Sequence, residues 1–397
     1  MEVSEHLFSF IRVHAADDVS QLLLSAGRYP DVDVPFAAEQ IAARQHIRGK
    51  LPHWEADGKL LFPSRTAAEQ CSSELTARYK QRLLEGGERH LCDLTGGLGV
   101  DAYYFARRTP RVTYVECDGV CFDTAMYNFE RLNVRNIAGY NADARDVLDK
   151  ISQPDVFYID PARRGAGNTR VFALRDCRPD LEEMLPELLR RAPRVIAKLS
   201  PMLDIRHTLT LLPATSEIHV VSVRNECREL LFVARRGAED DDPFVHCVNF
   251  TSNGGEQTFG FHYQEEQKTE PLIHSQVQAY LYEPNASILK AGAYRLTAKR
   301  YGVAKLHASS HLYTSDQCLH TFPGRIFRVE RVFAFNNAFC RTIARDVPQA
   351  NLAARNFPLT VNELRKRIRV ADGGDAFLFA TTLAGNGKVV ILCRKAV

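Results

Sequence analysis

Apolar positions along the chain follow two periods, and the switch between them gives its first division. Up to residue 85 apolar residues recur at helical spacing, and SRTAAEQCSSELTARYKQRLL (Ser64–Leu84) predicts one helix packed on a sheet. From residue 89 short apolar, β-branched runs alternate with helical stretches. Leu91, Cys92 and Leu94 predict a buried strand, VTYVE a second ending at Glu116, and CFDTAMYNFERL the helix after it. NIAGYN leads to a turn at 141–143, DVFYID is a fourth strand, and RVIAKLS a fifth. Such alternation predicts an α/β fold with a parallel sheet. EIHVVSVRN and ELLFVARR then follow with no helix between them, which predicts a hairpin and one antiparallel strand.

Past the acidic stretch GAEDDDP the pattern becomes mixed. FVHCVNFT and QTFGFHYQ read as strands, and SILKAGAYRLTAKRYG, from Ser287, as one basic amphipathic helix capped by Gly302. RIFRVERVFAF and ANLAARNFP predict strands, and TVNELRKRIRV a helix with Thr360 as N-cap and Glu363 closing a capping box. The last stretch predicts a hairpin turning at Gly385, Asn386 and Gly387. These shifts place a mainly helical region at 1–85, an α/β domain at 86–240, a connecting α/β region at 241–320 and a mixed α/β domain at 321–397.

The chemistry concentrates at RHLCDLTGGLGVD, residues 89–101, where a strand breaks into glycines. A tight Gly-rich turn between strand and helix brings unhindered backbone N–H groups to a ligand. By itself the turn is ambiguous: Gly97, Gly99 and Ala102 also satisfy a dinucleotide-binding pattern, with Glu116 about twenty residues on. Asp93, four residues before Gly97, adds an acid to the strand end. An acid followed by glycines at alternate positions resembles the first motif of class I methyltransferases, with Thr95 standing where the first glycine belongs. The resemblance implies a Rossmann-like sheet and S-adenosylmethionine as cofactor. It further implies Asp93, Thr95, Gly97 and Gly99 around the methionine part, Glu116 on the ribose, and Asp143 and Ala144 at the adenine. Gln70 and Ser73, on the upstream helix, are further candidates. An aspartate at a strand end is also a common helix N-cap, but four acids in this order favour a site along one sheet edge.

The fourth strand ends in Asp160-Pro161-Ala162-Arg163. Amino-methylating members of the family carry Asn or Asp, two prolines and an aromatic there, so the resemblance implies Asp160, Pro161 and Arg163 as the groups meeting a target base. Arg163 can stack on a base or grip a phosphate. Methylation of a pyrimidine carbon would need a nucleophilic cysteine near this edge. KLSPML, at the end of the fifth strand, has none; Cys177 lies in the Arg-rich loop and Cys227 between the last strands, which disfavours that route without closing it and favours an exocyclic amino group or another ring nitrogen.

Ten cysteines without a CxxC pair argue against disulfides and zinc ribbons, and His307 and His311 have no evident third partner, so no metal is expected. No apolar run approaches a membrane span, and the acidic N-terminal stretch is unlike a signal peptide, which predicts a cytoplasmic protein. The formal charge is only +3, yet residues 290–369 hold fifteen Lys and Arg against four acids, a local +11. That asymmetry, with Tyr294, Tyr301, Tyr313, Phe327 and Phe333 interleaved, predicts an RNA partner. The C-terminal part resembles the THUMP-like domains attached to RNA methyltransferases. The function this implies is methylation of a base nitrogen in structured RNA such as tRNA or rRNA. Two alternatives remain at this point: a noncatalytic RNA-binding protein retaining a methyltransferase core, and a nicotinamide-dependent oxidoreductase. Oligomeric state is not legible.

Overall fold

A computed structural model describes residues 4–163, 174–238 and 242–396. The chain divides into two compact units, Met1–Thr215 with Phe232–Glu239, and Ser216–Leu231 with Asp240–Val397. In the first, short hydrophobic runs form five parallel strands: β1 (His90–Asp93), β2 (Arg111–Glu116), β3 (Ile137–Asn141), β4 (Val156–Ile159) and β5 (Arg194–Leu199). β1 and β4 are buried at every position, as central parallel strands covered on both faces must be. Helices Val100–Ala106, Gly119–Arg131, Ala144–Val147 and Leu181–Arg191 lie between successive strands. Trp54, Phe62, Tyr104, Tyr114, Phe129 and Tyr158 belong to one apolar cluster here.

β6 (Thr215–Val223) and β7 (Glu226–Arg235) form the expected helix-free pair. Arg224 and Asn225 turn between them with φ of 52° and 63°, the positive pair that a type I′ hairpin requires. β8 (Phe244–Phe250) runs parallel to β6, and β9 (Glu256–His262) antiparallel to β8. Within the first unit the parallel strands are ordered β5-β4-β1-β2-β3, and within the second β9, β8 and β6 lie side by side.

The second sheet holds β10 (Tyr280–Pro284), β11 (Ala304–Lys305), β12 (Tyr313–Ser315), β13 (Gly324–Ala334), β14 (Asn351–Arg355), β15 (Ala376–Thr382) and β16 (Lys388–Lys395), ordered β11-β12-β10-β13-β16-β15-β14. Its strands come from both sides of residue 321, because β10 pairs with β13 along Tyr280–Pro284. Helices Asn337–Asp346 and Val361–Ile368 bury Phe339, Ile343, Leu364 and Ile368 in a cluster with β15 and β16. Thr360 and Glu363 close the capping box read from the sequence. No helix among the described residues is long and apolar enough to cross a membrane.

Two expected helices are each broken in two. The stretch 64–84 forms Arg65–Gln70 and Glu74–Gln81, since Cys71 is extended and Ser73 caps the second helix through its hydroxyl. The stretch 287–302 forms Ala286–Ala291 and Tyr294–Tyr301, because Gly292 takes a left-handed φ of 77° and ends the first.

Candidate active site

The turn after β1 is tied on three sides. Asp93 Oδ1 accepts the Thr95 N–H at 3.1 Å, and Thr95 Oγ1 accepts the N–H of Asp160, at the end of β4, at 2.6 Å. Glu116, ending β2, accepts the Gly97 N–H at 2.7 Å and the Asp118 N–H at 2.8 Å. The hydroxyl of Thr95 thus does what a glycine there could not, joining two strand ends. A Cβ on Gly96 would sit 1.9 Å from a ring carbon of Tyr114, and one on Gly99, at φ 83°, would sit 2.5 Å from Phe129. Gly97 instead has φ 53° and open space beside it. One side of the turn is therefore packed on aromatics and the other is free to meet a ligand.

Behind the turn lies a sealed ionic network. Lys80 is fully buried and its ammonium reaches Asp101 and Ser72 at 2.9 and 2.6 Å. The Tyr158 hydroxyl donates to Asp101 at 2.8 Å. Burial by itself would raise the Asp101 pKa, but the Lys80 and Lys198 ammonium groups and these bonds leave it below the usual carboxylate value. Asp93 goes the other way: burial first, then the charge of Asp101, push its carboxyl well above the ordinary value. Its Oδ2 is buried with no hydrogen-bond partner among the described residues. At the end of β4, Asp160 Oδ2 pairs with the Lys198 ammonium from β5.

Known proteins resemble the chain at three levels. A ferredoxin-like family model matches residues 280–323, and a THUMP domain-like model matches residues 324–395. A protein of Mycobacterium tuberculosis named as an uncharacterized S-adenosylmethionine-dependent methyltransferase is 25% identical over 343 residues, 85% of this chain and 89% of its own length. A crystal structure described as a methyltransferase from Porphyromonas gingivalis W83 is 34% identical over the whole of both chains, with a TM-score of 0.88. The chain belongs to the class I S-adenosylmethionine-dependent methyltransferases with a C-terminal THUMP-like domain.

The methyl donor of this methyltransferase is accordingly S-adenosylmethionine. The residues at the turn fit it: a buried carboxyl oxygen without a partner and an open glycine suit a ligand with a sulfonium and an ammonium. Asp93, Thr95, Gly97, Gly99 and Glu116 lie on this turn and the strand ends beside it, with Thr95 bonded to Asp93, Gly97 to Glu116, and the Gly99 N–H to the Gly96 carbonyl. Asp143 has a more local engagement. It caps helix Ala144–Val147 through the Arg145 N–H at 3.0 Å and pairs with the Arg145 guanidinium, while Ala144 is buried beneath it. Ser73 likewise serves as a cap, and Gln70 is exposed at a helix end.

Of the DPAR residues, Asp160 and Pro161 adjoin the turn, with Pro161 buried. Ala162 and Arg163 pair antiparallel with Cys177 and Arg178 as a short ribbon. The Arg163 side chain, Arg164 and Arg170 lie outside the described residues, whereas Arg175 and Arg178 are exposed. Sequence reading missed Lys198, Lys80, Ser72 and Tyr158. Lys198 had a signal, a cation at the end of a buried apolar strand, where an unpaired charge would be costly.

Proposed function

We propose that the methyltransferase acts on a base nitrogen, with an exocyclic amino group favoured, in structured RNA such as tRNA or rRNA. The observation that carries this reading is Asp160. Its Oδ2 is held by Lys198, its N–H by Thr95, and Oδ1 has no partner among the described residues, so one carboxylate oxygen at the edge remains to accept from a target N–H. S-adenosylmethionine, when bound, supplies an electrophilic methyl group to an in-line attack. The chain's own task is to orient the nitrogen lone pair and accept the proton released afterwards. Asp160 performs both at Oδ1, while Lys198 holds the other carboxylate oxygen. Arg163 stacks on or grips the nucleotide, which must leave its stack to be reached.

An RNA substrate is supported by the THUMP-like match and by charge. Several of the cations between 290 and 369 are committed internally: Arg325 and Arg355 pair with Glu283, Lys305 is buried on the Ala308 carbonyl, and Arg365 reaches Asp372. Arg328, Arg341, Arg345, Lys366 and Arg369 remain exposed on β13 and at the two helices beside the second sheet. Incubating total RNA with isotope-labelled S-adenosylmethionine, then digesting it and weighing the nucleosides, tests the reading. An N-methylated base in tRNA or rRNA is expected. Label found only on a ribose oxygen or a ring carbon would overturn it.

A further inference from the structure

Glu217, His219 and His246 form the one group of three potential metal-ligating side chains among the described residues. The period of two along a strand puts Glu217 and His219 on one face of β6, and the parallel register sets His246 of β8 opposite His219. Glu217 Oε2 lies 3.5 Å from His219 Nε2 and 3.7 Å from His246 Nε2. A tetrahedral zinc, held at about 2.0–2.2 Å by nitrogen and oxygen, keeps its ligand atoms roughly 3.4 Å apart. Two edges of such a tetrahedron are therefore nearly in place. The third spans the two imidazole nitrogens, and all three ligand atoms lie within 4.8 Å of one another.

The two rings stack with centroids 4.3 Å apart and planes inclined by 2°. Their lone pairs run side by side in this arrangement, so capture of an ion requires each ring to turn about its Cβ–Cγ bond. That torsion is soft in histidine. His219 is buried, while the side chains of Glu217 and His246 are 28% and 37% exposed, which gives an ion a way in and leaves space for a water.

We propose that Glu217, His219 and His246 bind a divalent transition-metal ion of the zinc class, with water as fourth ligand. Two imidazoles disfavour magnesium and calcium, which take oxygen ligands. The ion would join β8 to β6 and so fasten the β8–β9 extension to the sheet. Spacing along the sequence gave no metal expectation because these ligands meet only across neighbouring strands.

The test uses the untagged full-length chain, stripped with a chelator and titrated with cobalt(II). The expected result is the visible absorption of tetrahedral cobalt, saturating at one ion per chain, displaced by zinc and not by magnesium. His246→Ala, at the more exposed ring, and Glu217→Gln should each weaken cobalt binding at least tenfold while keeping the far-ultraviolet circular dichroism of the wild type. Absence of the tetrahedral band in the wild type overturns the proposal. So does a band of unchanged affinity in both variants. The wild-type titration decides the matter even where a variant fails to fold.

Discussion

Asp101, behind the glycine turn, and Glu283, in the second sheet, are buried carboxylates neutralised in opposite ways. Asp101 is paired with Lys80 inside a sealed pocket, where the two side chains are 10% and 0% exposed. Glu283 is 2% exposed but draws in Arg325 and Arg355, which remain 40% and 39% exposed. Water screens the second arrangement and barely reaches the first. The sealed charge therefore acts on its neighbours, and the raised proton affinity of Asp93 is partly its effect. The open cluster instead ties β10, β13 and β14 together and leaves its field to solvent. In this chain the sealed carboxylate lies beside the glycine turn, and the solvent-screened one ties strands of the second sheet.

The largest test of that contrast is stability. Lys80→Met would leave Asp101 buried without its cation and should cost roughly 3–5 kcal/mol in urea unfolding. Arg325→Met, with Arg355 still on Glu283 and solvent near, should cost about 1 kcal/mol. Equal losses would erase the distinction. Glycines sharpen it next. Gly96→Ala forces a methyl into Tyr114 and should cost roughly 1–3 kcal/mol, whereas Gly385→Ala, with nothing within 4 Å, should stay within about 0.5 kcal/mol.

A smaller effect concerns protons. Asp93 has a folded-state pKa above its unfolded one, so its contribution to stability is full below the unfolded value and is lost as pH rises through the folded value. Asp101 is the reverse, contributing above its unfolded pKa and losing that as pH falls through the folded one. A cationic cofactor at Asp93 favours its ionised form. S-adenosylmethionine should thus bind with net proton release and more tightly as pH rises, and Asp93→Asn should flatten both. Calorimetry in buffers of different ionisation enthalpy measures this, and proton uptake would contradict it. Least in stability terms is the exposed set. Neutralising Arg341, Arg345, Lys366 and Arg369 should leave unfolding within about 0.5 kcal/mol. The salt slope of RNA binding should shrink by roughly 0.7–0.9 for each phosphate that the variant no longer neutralises, with cofactor affinity unchanged.

The strands around the turn were legible because buried parallel strands are written as short apolar runs, and acids at their ends punctuate them. Asp93, Gly97, Gly99 and Glu116 could be grouped by that punctuation only together with the family resemblance, because the turn by itself also fits a dinucleotide pattern. Long-range partners could not. Lys80 reads as a polar position on a helix, and only tertiary packing brings it to Asp101, 21 residues on. Lys198 meets Asp160 because β4 and β5 are neighbours, which spacing along the chain does not state. The helix breaks at Ser73 and Gly292 carried local signals, a cap residue and a glycine, that the longer amphipathic pattern overrode. Asp143 shows the converse: its cap to Arg145 is as local as its expected role was distant.

Asp160, as the group that meets the methyl acceptor, is the central claim. The direct measurement is transfer of labelled methyl from saturating S-adenosylmethionine to total RNA by wild type and by Asp160→Ala, with cofactor affinity measured in parallel. A fall of about 10²–10³-fold in transfer, with cofactor binding retained, is the predicted result. Transfer by Asp160→Ala at the wild-type rate, or binding of RNA by the wild type without any transfer, would contradict it.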